Sequence, residues 1–275
     1  MNQSSREPDR FRFIRRAANG LRKVAAGLRP FNESVWPGVR NDLFVAHESI
    51  YHFFSRFSYD KSVLDAGCGT GYGAIHLARS DARSVTGIDI DPLSIRYARR
   101  HFVANNLEFC VGNLQSLLFA DRSFELVVAS NALEHLRMPT LFLHDLHRVL
   151  TTDGTAMIAV PPILSAQDLS VHANIHYHRS NLTVDDWLEL FRDSNFEVEC
   201  YSHRAFRDVA PHFESPRSSA LSVSDFEFVA TTRDGFYSRP SITAIFALKV
   251  APAKWESVDA RASGTAAAET GRRSR

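Results

Sequence analysis

The chain of 275 residues is 44% hydrophobic and 23% charged, which is ordinary for a globular protein and long enough to bury a full core. Its formal net charge of +1 argues against a strong overall attraction to nucleic acid. Three widely spaced cysteines indicate a reducing compartment, and no apolar run approaches the ~20 residues that cross a bilayer, so we expect a cytoplasmic protein without a membrane span.

The first 42 residues form a basic extension that differs from the rest of the chain. Apolar side chains recur at helical spacing among its arginines: Phe11, Ile14, Ala18, Leu21 and Ala25. This pattern predicts an amphipathic basic helix, which could make weak contact with an anionic membrane surface or bind a partner. The alternative is a solvated extension or a helix that covers a ligand.

From residue 43 onward, short apolar runs alternate with helical stretches. After a helix at 43–57, the predicted strands are 62–66, 84–88, 107–111, 124–129, 155–160 and 196–203. The predicted helices among them are 72–79, 92–104, 139–149 and 183–193. Such alternation predicts a doubly wound α/β fold, in which helices cover both faces of a mostly parallel sheet. Because crossovers are right-handed, the carboxyl ends of the strands share one edge, where ligands bind.

The end of the chain is less regular. Residues 205–240 are rich in Ser, Arg and Phe and are interpreted as an irregular insertion, a candidate lid or oligomer contact. One further strand is predicted at 241–250, and the tail at 251–275 has the composition of a disordered segment. We therefore expect one domain over 43–250, preceded by the extension and followed by the tail.

The most informative stretch, residues 63–73, reads Val-Leu-Asp-Ala-Gly-Cys-Gly-Thr-Gly-Tyr-Gly. An apolar run ends in Asp65, glycines at 67, 69, 71 and 73 follow, and a helical pattern begins. Glycine accepts positive φ and keeps Cβ atoms away from a ligand, and the N-terminus of a helix presents free N–H groups. The order strand, tight turn, helix therefore predicts a backbone cradle for a ligand.

Polar residues close the neighbouring strands at the same predicted edge. Asp89 ends the second strand, where a carboxylate can reach two vicinal ribose hydroxyls. Asn113 follows the third strand, where it could read an adenine edge, and Ser130 ends the fourth. Taken alone, the spacing Gly69-x-Gly71-x-x-Ala74 also fits the fingerprint of a nicotinamide-dinucleotide site.

Five motifs in order distinguish these readings, because residues 43–203 resemble the class I S-adenosylmethionine-dependent methyltransferases, specifically their small-molecule subgroup. Residues 63–73, 87–92, 112–119, 124–136 and 148–154 are similar to the family's successive motifs. The resemblance implies a Rossmann-like sheet of seven strands whose last strand is antiparallel. It also implies that S-adenosyl-L-methionine is the cofactor, contacted by Gly67, Gly69, Asp89 and Asn113, with Asp65 near its methionine part or positioning the turn.

One departure from the family pattern concerns adenine recognition. The third motif usually carries Asp after its glycine, whereas this chain has Asn113. An amide still offers an acceptor for the adenine amino group and adds a donor, so we expect recognition to survive in a weaker form.

Histidines near the expected acceptor side are the catalytic candidates. His135 follows the fourth strand beside Glu134, and it is read either as the general base for a hydroxyl acceptor or as a histidine bonded to the backbone. Glu134 is interpreted either as a less favoured helper of His135 or as a side chain that points to solvent. His176, in the loop after the fifth strand, is a second candidate, as acceptor ligand or base. Together with its neighbours His172 and His178, it has a spacing that could suit a zinc site. No cysteine or acidic cluster accompanies these histidines, so no metal is expected.

The resulting hypothesis is methyl transfer to a small molecule, with a hydroxyl oxygen as acceptor atom. The sequence Asn/Asp-Pro-Pro-Tyr is absent after the fourth strand, which argues against a nucleic-acid amino methyltransferase. Helix 43–57, with His47, Tyr51 and His52, and loop 161–182 are expected to close over the acceptor. Two alternatives stay open, a nicotinamide-dependent oxidoreductase and a non-catalytic module that binds S-adenosylmethionine.

Overall fold

A computed structural model describes residues 40–206, 209, 211–213 and 218–252. Its helices are α1 (Asp42–Phe54), α2 (Tyr72–Arg79), α3 (Pro92–His101), α4 (Pro139–Val149), α5 (Ala166–Ala173), α6 (Val184–Asp193) and α7 (Arg233–Ser238). Its strands are β1 (Ser62–Ala66), β2 (Ser84–Asp89), β3 (Leu107–Val111), β4 (Phe124–Ser130), β5 (Leu150–Val160), β6 (Phe196–Ala205), β7 (Phe226–Thr231) and β8 (Thr243–Val250). Short 3₁₀ helices lie at Ser55–Phe57, Leu133–His135 and Val223–Asp225. The predicted basic helix and almost all of the predicted tail lie outside the described residues.

The strands form one sheet in the order β3-β2-β1-β4-β5-β8-β6-β7. Strands β3, β2, β1, β4 and β5 are parallel, and β8 runs antiparallel to both β5 and β6. The doubly wound α/β class and the antiparallel last strand are confirmed. The described residues contain eight strands, however, so the expected number of seven was wrong.

The additional strand is β7, which lies inside the segment that we predicted to be irregular. It pairs antiparallel with β6 along the sheet edge, and Phe228 stands opposite His203 in the register. The ring of Phe228 stacks on Phe53 of α1 with centroids 4.4 Å apart. The strand is short and lies at an edge of the sheet, and the segment around it is rich in Ser and Arg. Local sequence patterns therefore do not predict it.

Other element ends differ from the prediction for local reasons. Helix α3 ends at His101 and not at 104, because Phe102 is already extended, with φ −124° and ψ 111°. Strand β5 begins at Leu150 and not at 155. Helix α5 lies in the predicted loop 161–182, and its N-cap Ser165 accepts a hydrogen bond from the N–H of Asp168.

Helices cover both faces of the sheet. Side chains of α4, α6 and α7 pack with Leu64 and Val127 on one face. Side chains of α1, α2 and α3 pack with Val63 and Leu126 on the other face. Side chains of successive strand residues therefore pack against helices on opposite faces of the sheet, which explains why these strands are continuous apolar runs in the sequence.

The predicted insertion is anchored on the start of α1. The N–H of Ser219 donates to the carbonyl of Arg40 at 2.7 Å, and the N–H of His212 donates to the carboxylate of Asp42 at 2.6 Å. Phe226 packs in a buried cluster with Val45 of α1. The expected roles of this segment as a lid or an oligomer contact stay predictions.

None of the helices in the described part of the chain has the length and apolar character that crossing a bilayer requires. The cysteines Cys68, Cys110 and Cys200 form no disulfide. Burial raises the pKa of the Cys68 thiol well above its ordinary value, so this cysteine behaves as a packing residue.

Candidate functional site

The glycine turn joins β1 to α2 at the carboxyl edge of the sheet. Gly67, Gly69 and Gly71 have φ values of 81°, 52° and 86°, in the left-handed region that glycine tolerates best. A Cβ atom on Gly67 would lie 2.6 Å from the Cβ of Ala132. The turn therefore requires glycine at 67 both for its backbone conformation and for its close approach to the segment after β4.

Asp89 ties the end of β2 to this turn. One carboxylate oxygen accepts from the N–H of Gly69 at 2.9 Å, and the other accepts from the N–H of Asp91 at 2.8 Å. Burial raises the pKa of Asp89, while these two N–H donors lower it. Each carboxylate oxygen has a second lone pair, so the side chain can still accept hydrogen bonds from ligand hydroxyls.

Asp65 is a buried acid next to the turn. It has no solvent exposure, and its Oδ1 accepts a hydrogen bond of 3.1 Å from the phenol of Tyr51. Its Oδ2 has no hydrogen-bond partner among the described residues. Burial raises the pKa of Asp65 to about 7, the bond from Tyr51 lowers it, and the charge of Asp89 raises it. A buried, unpartnered carboxylate oxygen suits a cationic ligand group.

Helix α1 lies against the glycine turn. The ring of Tyr51 meets Tyr72 edge to face with centroids 5.4 Å apart, and a Cβ on Gly73 would lie 2.1 Å from the Tyr51 ring. His52 contacts His76, with ring centroids 4.0 Å apart. Tyr51 thus faces Asp65, a relationship that the sequence analysis missed because the two residues belong to different helix–strand units.

Asn113 and Ser130 close the edge on either side. Asn113 is exposed, and its side-chain oxygen accepts from the N–H of Gln115 at 2.9 Å. Ser130 is 8% exposed, and the amide of Asn131 donates to its hydroxyl at 3.4 Å. The structure places both at the same edge as Asp89, and their contacts with a ligand stay predictions.

The loop after β3 is held by one arginine from α4. The guanidinium of Arg148 donates to the carbonyls of Leu117 and Phe119 at 2.7 and 2.6 Å. It also pairs with Asp145 at 3.3 Å and Asp121 at 2.9 Å. Arg148 lies in one of the matched motifs, but no local sequence signal predicts that it clamps the loop carrying Asn113.

The histidines on the acceptor side form a compact group. Nδ1 of His135 lies 3.2 Å from the carbonyl of Tyr177, and the rings of His135 and His178 meet edge to face at 5.3 Å. Nδ1 of His178 lies 3.2 Å from Nδ1 of His172. Burial lowers the pKa of His178 to about 3 and that of His172 to about 4. His176 is exposed, so the structure brings His178, and not His176, to His135.

Glu134 completes this group. It is 4% exposed, so the interpretation that it points to solvent is wrong, and its role as a helper of His135 stays a prediction. Burial raises the pKa of its carboxyl group, and the nearby His135 lowers it. Glu134, His135 and His178 each offer one potential ligand atom, and these atoms all lie within 4.8 Å of one another.

Comparison with known proteins agrees with this geometry. A family model described as a methyltransferase domain matches residues 63–154. A probable S-adenosylmethionine-dependent methyltransferase of Mycolicibacterium smegmatis is 30% identical over 172 residues, 61% of this chain and 65% of that protein. A malonyl-[acyl-carrier protein] O-methyltransferase of Laribacter hongkongensis is 38% identical over 107 residues, 35% of this chain and 36% of that protein. The matching region thus spans less than two thirds of the length of these curated relatives.

A likeness to a solved structure extends over more of the chain. The YcgJ protein of Bacillus subtilis aligns with a TM-score of 0.54 and 15% identity, covering 75% of this chain and all of that one (100%). At this identity the likeness concerns the fold alone, and it agrees with the doubly wound sheet described above.

Proposed function

Because the chain belongs to the class I S-adenosylmethionine-dependent methyltransferases, we propose that it transfers a methyl group to a hydroxyl oxygen of a small molecule by in-line displacement. The observation that carries this proposal is the bond between Asp89 and the N–H of Gly69, which joins an acidic strand end to a left-handed glycine turn. The carboxylate of Asp89 and the glycine turn together suit a ligand that has both a ribose and a flexible polar tail.

The residues at the edge fit the family's cofactor, S-adenosyl-L-methionine. Asp89 is assigned to the ribose hydroxyls, and Asn113 to the adenine edge. The turn at Gly67 and Gly69 offers its backbone to the methionine part. The unpartnered oxygen of Asp65 suits the ammonium group of that part, directly or through water. Ser130 is assigned to the same edge as a further contact.

The cofactor, when bound, supplies a methyl group on an electrophilic sulfonium. The protein must then mainly align the acceptor behind that methyl group, and such positioning supplies ~7–11 kcal/mol at its favourable limit. We assign His135 to promoting loss of the acceptor's hydroxyl proton. A carbonyl can only accept a hydrogen bond, so the contact with Tyr177 places a proton on Nδ1 and fixes the orientation of the His135 ring. His176 stays a predicted acceptor contact on the exposed loop.

Two features support oxygen in a small molecule as the acceptor. The imidazoles on the acceptor side can promote loss of the proton that a hydroxyl gives up when it attacks. Two relatives are named as O-methyltransferases, which supports oxygen as the acceptor atom. The candidate acceptors are sugar or glycan precursors, quinone-like phenols and other hydroxylated metabolites.

The proposal is tested first by ligand binding. Calorimetry and thermal shift with S-adenosylhomocysteine, NAD and NADP should show binding and stabilisation by S-adenosylhomocysteine alone. Stabilisation by a nicotinamide cofactor without a response to S-adenosylhomocysteine would overturn the proposal in favour of an oxidoreductase.

Turnover is tested separately with S-adenosylmethionine labelled in its methyl group and a panel of hydroxylated small molecules. We expect label in at least one class of hydroxyl acceptor. Binding of S-adenosylhomocysteine with no transfer to any member of a broad panel, including amines and carbon acids, would instead indicate a non-catalytic binding module.

A further inference from the structure

Glu134, His135 and His178 come from two segments that the backbone locks together. The N–H groups of Arg179 and Ser180 both donate to the carbonyl of Glu134, at 2.7 and 3.0 Å. The hydroxyl of Ser180 donates to the carbonyl of Leu136, 44 positions earlier in the sequence. These bonds hold the loop carrying His178 against the 3₁₀ helix that carries Glu134 and His135, without using the three side chains themselves.

The protonation of the two histidines follows from their partners. The carbonyl of Tyr177 can only accept a hydrogen bond, so Nδ1 of His135 carries a proton in this contact. In the close pair of His178 and His172, one Nδ1 must donate to the other. In the tautomer in which His178 donates, its Nε2 carries a lone pair that can bind a metal ion, and His172 fixes its ring orientation.

Glu134 has a polar atom that needs a partner. Its Oε2 is buried and forms no hydrogen bond among the described residues. A buried carboxylate oxygen without a partner costs free energy unless a cation or a donor satisfies it. The group therefore combines one unsatisfied carboxylate oxygen with two imidazole nitrogens.

We propose that Glu134, His135 and His178 bind a divalent transition-metal ion of the zinc type, with an open coordination position toward the acceptor. Two histidines and one carboxylate are a ligand set found in catalytic zinc sites that keep a position for water or substrate. A tetrahedral ion with bonds of ~2.1 Å holds its ligand atoms ~3.4 Å apart. Here they lie within 4.8 Å of one another, so modest side-chain rotation closes the site.

The role of the open position rests on the proposed function, whereas binding of the ion rests on the side chains alone. In that role the acceptor hydroxyl binds the ion, and its proton passes to solvent water. The oxygen then forms its bond to the methyl carbon, and the carbon–sulfur bond breaks with its electron pair left on sulfur. His135 thus promotes loss of the proton as a ligand of the ion and not as the proton acceptor, which differs from the expectation from the sequence that no metal binds.

The test uses the full chain, freed of metal by a chelator and titrated with Co²⁺ followed by Zn²⁺. We expect one equivalent of Co²⁺ per chain with the visible absorption of a low-coordinate site, and its displacement by Zn²⁺. Glu134→Gln and His178→Gln should each weaken Co²⁺ binding at least tenfold. His144→Gln is the matched control, because its side chain is 82% exposed and lies outside the group, and it should bind as wild type does.

Two outcomes would overturn the metal site: no stoichiometric Co²⁺ binding, or wild-type binding by both variants. A melting temperature for each variant shows whether it folds. If Glu134→Gln does not fold, His178→Gln alone tests the metal site. Binding of S-adenosylhomocysteine is measured on the same samples. If the chain binds S-adenosylhomocysteine but not the metal ion, only this inference is rejected. If the chain binds the metal ion but not S-adenosylhomocysteine, the proposed function is rejected.

Discussion

The phenol of Tyr51 donates a 3.1 Å hydrogen bond to the buried carboxyl group of Asp65, and this bond joins α1 to the end of β1. The contact places an aromatic helix residue over the glycine turn, and the other oxygen of Asp65 has no hydrogen-bond partner within the described part of the chain. Asp65 is thereby both a packing residue and a candidate binding residue.

Stability should depend on pH through Asp65. Its pKa is about 7 in the folded protein against an ordinary value of 3.8, because burial disfavours the charged form. Between these values the folded protein holds a proton that the unfolded chain has lost, so the contribution of Asp65 to stability falls as pH rises from about 4 to about 7. Chemical denaturation of wild type and Asp65→Asn over this range should show wild type losing stability relative to the variant.

The control for this prediction is Asp153→Asn, which changes an exposed carboxylate. Its free energy of unfolding should follow that of wild type at every pH. Parallel curves for wild type and Asp65→Asn would show that the carboxyl group of Asp65 has an ordinary pKa.

Asp89→Asn should weaken binding of S-adenosylhomocysteine. An amide keeps one acceptor but turns its NH₂ group toward one of the two N–H donors of Gly69 and Asp91. Losing a hydrogen bond to a charged group costs ~1.5–3 kcal/mol, which is roughly a tenfold to hundredfold rise in Kd measured by calorimetry.

Asp91→Asn is the matched control for that measurement. Asp91 caps α3 by accepting from the N–H groups of Leu93 and Ser94, and asparagine is an equally good N-cap. An affinity for S-adenosylhomocysteine that is lost equally in both variants would contradict the assignment of Asp89 to the ribose.

Gly73→Ala should destabilise the protein although it adds a better helix former to α2. The new Cβ would lie 2.1 Å from the ring of Tyr51, so α1 must shift. Overpacking of this kind costs ~1–3 kcal/mol, which exceeds the ~1 kcal/mol that alanine gains over glycine in a helix. Thermal melting should show a clear fall in Tm.

Gly154→Ala provides the comparison, since its added Cβ would come no closer than 3.0 Å to any neighbour. Its fall in Tm should be the smaller of the two. A rise in Tm for Gly73→Ala would mean that α1 does not press on α2 as described.

Arg148→Lys should loosen the loop after β3. Lysine keeps the positive charge but cannot hold the carbonyls of Leu117 and Phe119 with one planar fork. We expect a loss of ~1–3 kcal/mol in stability and faster hydrogen exchange in residues 113–119. Arg100→Lys, at an exposed position on α3, should change neither quantity. Exchange that is faster everywhere in the chain would point to a global effect and not to a clamp on this loop.

Contacts within one strand–turn–helix unit were accessible from the sequence. Strands β1 and β3 and helices α2 and α4 have the predicted ends, because apolar runs, glycines and a proline at the start of α4 are local signals. Strand β7 was missed because pairing at a sheet edge depends on a distant partner, β6. Similarly, His176 and His178 cannot be told apart by spacing, and only the folded loop exposes the first and brings the second to His135.

The sequence by itself determined that a glycine turn and Asp89 meet at the carboxyl edge of a doubly wound sheet, because hydrophobic periodicity and right-handed crossovers leave few other arrangements. Only the tertiary structure decided that Tyr51 bonds to Asp65 and that Glu134 is buried beside His178. These partners lie far apart in the chain, and their meeting depends on how helices and loops pack over the sheet. Such packing distributes burial among side chains in a way that no local pattern encodes.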